Sequence, residues 1–505
     1  MGHLSTIFPD QFSGNKDEWR KVLQNELKIP DIDQKLSKNT LEGLFAILTD
    51  KAQGQVIPNS TSWKKSSQTY FAVDSQTDAS VKNDLENGVR VFFLNEKSAS
   101  LEKLILSHPD SKDIEIVHFG KTTHALEALS LVHQGGTHLQ EVTALTLSLI
   151  YWAQKNPHTN HVQMMVSVDN HFFQSIAKIR AIREIAQKIF DELKMNPKLT
   201  LISIVNTREW TLYERYNNML RNTASVAAGL VGGADLIQTL GYMTPFEMEA
   251  PSHLDSEHLV RSRRMSRNTT HILSLESMLG MVQDAAAGSY HLESLTDYYA
   301  SEGWKEMQKL VSLSQGEQKS YWDETLKKTQ DERLKQFNHR KIILSGINDF
   351  PNKNEVLGIS SPLGQESFRL ARFFEELRLR VEKLKPSQKK DVRIVFWGDY
   401  AALNARVNFV KNYFELLGLK VHDPHHSIVK DEELKSWVSQ GKPDELIVLC
   451  AKDEDYPSLI LKTTLSSTGN YVAGKVELGS LESIYGGQNV YDVLSRLVLK
   501  LESLV

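Results

Sequence analysis

Three histidines and an aspartate crowd together at His422-Asp423-Pro424-His425-His426, and imidazole and carboxylate are side chains that bind zinc. A polar turn explains the same residues, and that is the reading adopted. Arg261, Arg264 and Arg267 recur at three-residue spacing, which predicts one face of a helix. Such a row could grip phosphate or pair with carboxylates; it reads as a structural ion-pair face. The run Asp284-Ala285-Ala286-Ala287-Gly288-Ser289 offers an aspartate to accept backbone bonds and a glycine for unusual dihedrals, so it reads as turn chemistry. Cys450 is the single cysteine, which rules out an internal disulfide and any thiolate cluster. None of these patterns assigns a catalytic, cofactor-binding or metal-ligating residue.

The elements that position these residues centre on Tyr213 to Trp304. A helix carries Tyr216-Asn217-Asn218-Met219-Leu220-Arg221-Asn222-Thr223, continues through Ala224, Ala227, Ala228 and Gly229, and stops at Gly232-Gly233. Its small residues allow close approach to a neighbour. A short buried strand is expected from Ala234 to Gly241, then the arginine helix running to Glu276. Ser294 and Asp297 are expected to cap the last helix, which holds Trp304.

Upstream, strand-type runs occur at Val91–Leu94, Ile114–Val117, Val162–Val168 and Leu199–Val205. Gly136–Glu141 is expected to lead into a long apolar helix ending near Gln154, and another helix opens at Phe172 with an isoleucine stripe through Ile176, Ile179, Ile182, Ile185 and Ile189. Repeated strand–helix units without hairpin signals predict an α/β fold with a parallel sheet, and at this length a closed eight-stranded (β/α)8 TIM barrel over residues 66–340. Residues 1–65 look irregular or helical, with an amphipathic helix at Asp17–Leu23. Charged helical chain follows the barrel, with residues 341–390 read as a linker packing outside. Residues 391–505 then alternate strands at Val392–Gly398, Leu419–Val421, Glu445–Cys450 and Tyr471–Gly474 with helices, a flavodoxin-like doubly wound pattern.

The 505 residues are too many for one core. A formal net charge of -4 leaves no basic footprint, so nucleic acid is not an expected partner. No apolar run approaches the ~20 residues that span a bilayer. Asp10, Asp17 and Glu18 without an apolar segment predict neither signal nor transit peptide, and a cytoplasmic location is expected.

Taken in order, YNNMLRNT, GLVGGAD, SRRMSRNTT, LES, DAAAGSYHLESLT and the later Trp304 resemble the second half of the barrel in the methylmalonyl-CoA mutase family, whose enzymes use adenosylcobalamin. The resemblance implies the barrel, a cobalamin-binding domain at 391–505, and an N-terminal arm at 1–65, where Thr40-Leu41-Glu42-Gly43-Leu44 is similar to a family segment. Such an arm either wraps a partner subunit or packs on its own barrel. The family's cobalt-ligating signature is Asp-x-His-x-x-Gly; here Asp399 is followed by Ala401 in the histidine's place and Asn404 in the glycine's. Gly474-Lys475 stands where the family has a paired glycine. In the barrel, the family's Arg-x-His segment, whose histidine bonds the thioester carbonyl, falls at Ile202 and Ile204; the arginine for the substrate carboxylate falls at His161; the radical-shielding tyrosine segment has no clear counterpart, and Tyr70, the only nearby tyrosine, reads as a core or surface aromatic. Isoleucine cannot polarise a carbonyl and alanine cannot ligate a metal. Within the family the chain therefore resembles the non-catalytic small subunit of the heterodimeric enzyme. That implies a large-subunit partner that carries adenosylcobalamin and interconverts methylmalonyl-CoA and succinyl-CoA. Ile202 and Ile204 are expected to plug this chain's own barrel. The rivals are a self-sufficient mutase with an altered site and a stand-alone scaffold or homodimer.

Overall fold

The computed structural model describes residues 125–504, apart from 365–367, 443, 464–468 and 480, together with shorter stretches between residues 21 and 118. The expected helix at Asp17–Leu23 lies, except for Lys21, outside the described residues. Strands β1 (Ser37–Thr40) and β2 (Gly43–Ala46) pair antiparallel where irregular or helical chain is expected. A two-residue separation is the length of a tight hairpin.

Seven parallel strands form the larger sheet: β3 (Gln68–Phe71), β4 (Val91–Leu94), β5 (Glu115–His118), β6 (Ala125–Leu126), β7 (His161–Val168), β8 (Lys198–Val205) and β9 (Leu236–Gln238). Their order is β5-β4-β3-β9-β8-β7-β6. Read round from β3 this is chain order, with the last strand, β9, beside the first. Eight strands are expected from the sequence; the described residues contain no eighth strand in this sheet and no β5–β6 pairing.

Helices α1 (Asp78–Glu86), α2 (Ala99–Leu106), α3 (Leu129–His133), α4 (His138–Lys155), α5 (Phe172–Glu192) and α6 (Asn217–Val231) connect the strands. After β9 come α7 (Thr244–Glu249), α8 (Ser256–His271), α9 (Tyr290–Val311) and α10 (Gln315–Asn338). Thr137 starts α4 through a reciprocal capping box with Gln140. The isoleucine stripe of α5 is buried against Val162, Met164, Val166 and Val168 of β7. The capping box expected at Ser294 and Asp297 does not form, because α9 already begins at Tyr290. Glu293 accepts the Gly288 N–H at 2.8 Å and closes the turn one helical turn earlier.

Close approach of α6 to the sheet depends on Gly229. A Cβ there would lie 2.7 Å from Ser203 Oγ and 3.3 Å from Ile237 Cδ1. Gly229→Ala is expected to cost about 1–3 kcal/mol by overpacking, in spite of alanine's better helix propensity. Urea denaturation measures this; unchanged or increased stability would show that α6 can move away.

The smaller sheet has five parallel strands: β10 (Val392–Phe396), β11 (Val421–His422), β12 (Leu446–Cys450), β13 (Asn470–Ala473) and β14 (Glu482–Ile484). Their order is β11-β10-β12-β13-β14. Helices α11 (Arg372–Glu382), α12 (Tyr400–Glu415), α13 (Asp431–Ser439), α14 (Tyr456–Lys462) and α15 (Val490–Glu502) accompany it. Leu344, Ile347, Ile359, Leu363 and Leu370 share one buried cluster with Tyr242 and Phe246 from the first unit and Val392 and Phe396 from β10. The stretch read as an outside linker thus contributes core. No helix among the described residues is long and apolar enough to cross a membrane.

Candidate functional site

Strands β7 and β8 end side by side, Val168 opposite Val205. In parallel α/β sheets the carboxyl end of the strands is where ligand-handling side chains collect. Asp169 follows β7, Asn206, Arg208 and Glu209 follow β8, and the start of α4 brings in Gly136 and His138. Arg208 Nη2 donates to Asp169 Oδ2 at 3.0 Å and Nη1 to the Gly136 carbonyl at 3.1 Å. His138 Nε2 lies 3.4 Å from the same Asp169 oxygen, and His171 Nε2 lies 3.1 Å from Glu209 Oε1. Asn206 Oδ1 accepts the Arg208 N–H and Gln238 Oε1 accepts the Val205 N–H, which fixes both amides with their nitrogens unpaired.

Burial alone would raise the Asp169 carboxyl, but His138, His171 and Arg208 hold it well below the carboxylate range. Glu209 is also opposed by burial and is held at about 2 by His171, with help from Arg208. Glu209 raises the His171 imidazole against burial. The cluster sets two carboxylates against the Arg208 guanidinium and the His171 imidazole, and the His138 imidazole beside Asp169 makes no hydrogen bond through either ring nitrogen.

Its contribution to stability is bounded on both sides. The Glu209 part is present above the ordinary 4.5 and is lost as pH falls toward about 2. The His171 part is present below the ordinary 6.5 and is lost as pH rises through the raised value. Urea midpoints should fall as pH rises from below 6.5 through the raised His171 value, and His171→Asn should remove part of that fall. An unchanged pH profile in the variant would contradict the pairing.

Beneath this mouth the sheet is aliphatic. Leu201 and Val205 of β8 face the helices, so the alternation puts Ile202 and Ile204 on the other face. There they are buried with Leu129, Met165 and Leu236. To one side, β6 ends opposite Met164 and leaves the Ser167 N–H without a strand partner. Glu141 Oε1 accepts it at 2.6 Å, and Lys178 Nζ meets Glu141 Oε2 at 2.5 Å.

The other residues singled out from the sequence are dispersed. His161 is the first residue of β7, exposed and 2.8 Å from Thr200 Oγ1, at the opposite end of the strand from Asp169. Tyr70 lies in β3, and its side chain is outside the described residues. The arginine row does not form one ion-pair face: Arg267 is buried against Asp84, whereas Arg261 and Arg264 are exposed. Burial pushes the Asp84 carboxyl up to about 6 despite Arg267 and Arg263. Asp284 and Gly288 do take left-handed dihedrals, with φ of 45° and 82°. The Asp284 carboxylate, however, accepts from Arg180 Nε at 2.9 Å and Nη2 at 3.1 Å. Arg180 was not singled out, nor were Asp169, Arg208 and Glu209. The signal for Arg180 is a charged residue inside an apolar helical stripe.

In doubly wound sheets ligands enter where the strand order reverses, here between β10 and β12. Asp399 caps α12 through the Ala402 N–H at 3.3 Å and accepts from Ser427 Oγ at 3.0 Å. Ala401 and Asn404 are exposed on the first turns of α12. Arg406 of α12 reaches across to the Ala451 carbonyl after β12 and to Asp453 Oδ1 at 2.8 Å. Lys462 Nζ lies 4.3 Å from the ring centroid of Trp397, which follows β10. A Cβ on Gly474 would stand 3.4 Å from Asp453 Oδ1 and 3.7 Å from Arg406 Nη1. The histidine group is split. His425 and Lys411 both pair with Asp423, each at 2.7 Å. His422 lies 3.0 Å from Asp391 and near Glu445, whose carboxylate is taken by Arg393 at 2.5 Å. A guanidinium on that carboxylate disfavours a cation.

The sequence profile described as methylmalonyl-CoA mutase matches residues 155–384. The methylmalonyl-CoA mutase small subunit of Porphyromonas gingivalis is 26% identical over 341 residues, 63% of this chain and 52% of that protein. That of Propionibacterium freudenreichii subsp. shermanii is 27% identical over 286 residues, 55% of this chain and 40% of that protein. The probable small subunit of Mycobacterium tuberculosis is 25% identical over 309 residues, 58% and 48% respectively.

The chain is similar to the methylmalonyl-CoA mutase family over residues 155–384.

It spans about half the length of the curated relatives it matches. The profile match runs from the end of α4 to just past α11, so the mouth residues Asp169 and Arg208, Met165, Ile202, Ile204 and Leu236 of the aliphatic cluster, and the Arg180–Asp284 turn all lie inside the matched stretch.

Proposed function

We propose that this chain is a non-catalytic small subunit of an adenosylcobalamin-dependent methylmalonyl-CoA mutase, supporting a large subunit that interconverts methylmalonyl-CoA and succinyl-CoA in the cytoplasm. In this reading the seven-stranded parallel sheet belongs to the family's (β/α)8 barrel over residues 66–340, preceded by an arm at 1–65. The β11-β10-β12-β13-β14 sheet is a flavodoxin-like, degenerate cobalamin-type domain over 391–505, joined through 341–390.

The observation that carries the proposal is the aliphatic cluster of Ile202, Ile204, Met165, Leu236 and Leu129 under a charge-neutralised mouth. Where the family's enzymes need an imidazole on the thioester carbonyl, these side chains offer neither a donor nor space. The crevice of the second sheet supports the same reading. Ala401 has no lone pair for cobalt, and Arg406 and Lys462 bridge the point where a tail would enter. These residues do not fit a corrin, so no chemical step is assigned to this chain.

Co-expression with a large-subunit homologue is the test. The two should co-purify, the complex should isomerise methylmalonyl-CoA with adenosylcobalamin, and this chain alone should not. Turnover by the lone chain would overturn the proposal.

A further inference from the structure

Helix α8 runs into a π-helical turn at Ile272–Glu276, and the chain then winds to Asp284. Leu273 and Leu279 turn inward onto the core. Ile272, Leu275, Met278, Met281 and Val282 turn outward, the last four each more than 60% exposed. The segment is held firmly. Ser277 N–H donates to Ile272 O at 2.8 Å, Leu279 N–H to Leu273 O at 2.9 Å, and Met281 N–H to Met278 O at 3.1 Å. Met278 has φ 52°, a left-handed conformation costly for a residue with a long side chain. The fold thus fixes a strained backbone that keeps aliphatic and thioether groups in water, and gains no packing from them.

We propose that this outward face of residues 272–282 is the surface on which the catalytic homologue docks, an inference that rests on the function proposed above. Its apolar area is on the order of 500 Å², at the upper end of what a monomer leaves uncovered. With a polar rim it matches one side of a standard interface, about 800 Å². Methionines suit such a surface because they adapt to the contours of a partner. Upstream on α8, Val260 is exposed, and the exposed Arg261 and Arg264 form no ion pair among the described residues. The partner's facing surface is therefore apolar, with acidic side chains opposite these arginines.

Mass photometry of the full chain mixed with the large-subunit homologue tests this, using the wild type, Leu275→Lys with Met281→Lys, and Arg264→Glu. All three positions are exposed, so circular dichroism and thermal melting of the lone variants should match the wild type. The double variant should bind the partner more than about tenfold more weakly. Arg264→Glu should weaken binding less, and by an amount that shrinks in high salt. If the wild type forms the complex and the double variant forms it equally well, the docking surface is wrong and the functional proposal stands. If the wild type forms no complex, both fail. If the wild type forms a homodimer that the double variant loses, a second copy is the occupant and the proposal is overturned.

Discussion

Replacing Arg369 by alanine is expected to destabilise the chain by about 3–5 kcal/mol. The guanidinium is fully buried between Glu249 and Glu375, with Nε at 2.6 Å and Nη2 at 2.7 Å from the Glu249 oxygens and Nη2 at 2.7 Å from Glu375. Its Nη1 donates to the Trp210 carbonyl at 2.8 Å. Burial pushes the Glu375 carboxyl up even with Arg369 beside it. Removing the cation would strand two carboxyls that have no water. Because Glu249 is on α7 and Glu375 on α11, the loss should also loosen the junction of the two sheets. Arg369→Met combined with Glu249→Gln and Glu375→Gln removes all three charges and should recover most of the stability. Urea denaturation of the single and triple variants checks this, and equal loss in both would contradict it.

Arg180→Ala is expected to have an effect of similar size. Arg180 gathers Asp284 and Glu293 at 2.9–3.1 Å, and Thr296 at 2.7 Å, all inside the core. It anchors the left-handed turn from Asp284 to Gly288 and the first turns of α9 against α5. Truncation leaves two buried carboxylates facing each other, about 3–5 kcal/mol. Hydrogen exchange should show the added opening concentrated at residues 284–296. Uniform destabilisation without that local opening would contradict the anchor.

These two arginines also mark where sequence reading stops. The isoleucines of α5 were legible because aliphatic spacing at 3.6 residues is a local pattern. Lys178 and Arg180 are buried in that same helix, but their partners are 37 and 104 positions away, so nothing local announces them. Strands β7 and β8 were legible as apolar runs, whereas β6 has two residues and β14 three, too few to show a period. The arginine row was misjudged for a geometric reason. A three-residue step falls about 60° short of a full turn, so Arg267 lies about 120° round the helix from Arg261. It reaches Asp84 while Arg261 and Arg264 face outward. At the candidate site the aliphatic character of Ile202 and Ile204 was plain from their identity. The charged mouth above them was not, because Asp169, His171, Arg208 and Glu209 come together only once β7 and β8 are aligned.

The most direct measurement is a spectroscopic titration of the purified lone chain with adenosylcobalamin. The absorbance bands should remain those of the free cofactor, with no change attributable to a protein ligand at cobalt, and Ala401→His alone should not alter that while Arg406 bridges the crevice. Tight one-to-one binding by the unaltered chain, with the spectrum of a cobalt-bound imidazole, would contradict the account.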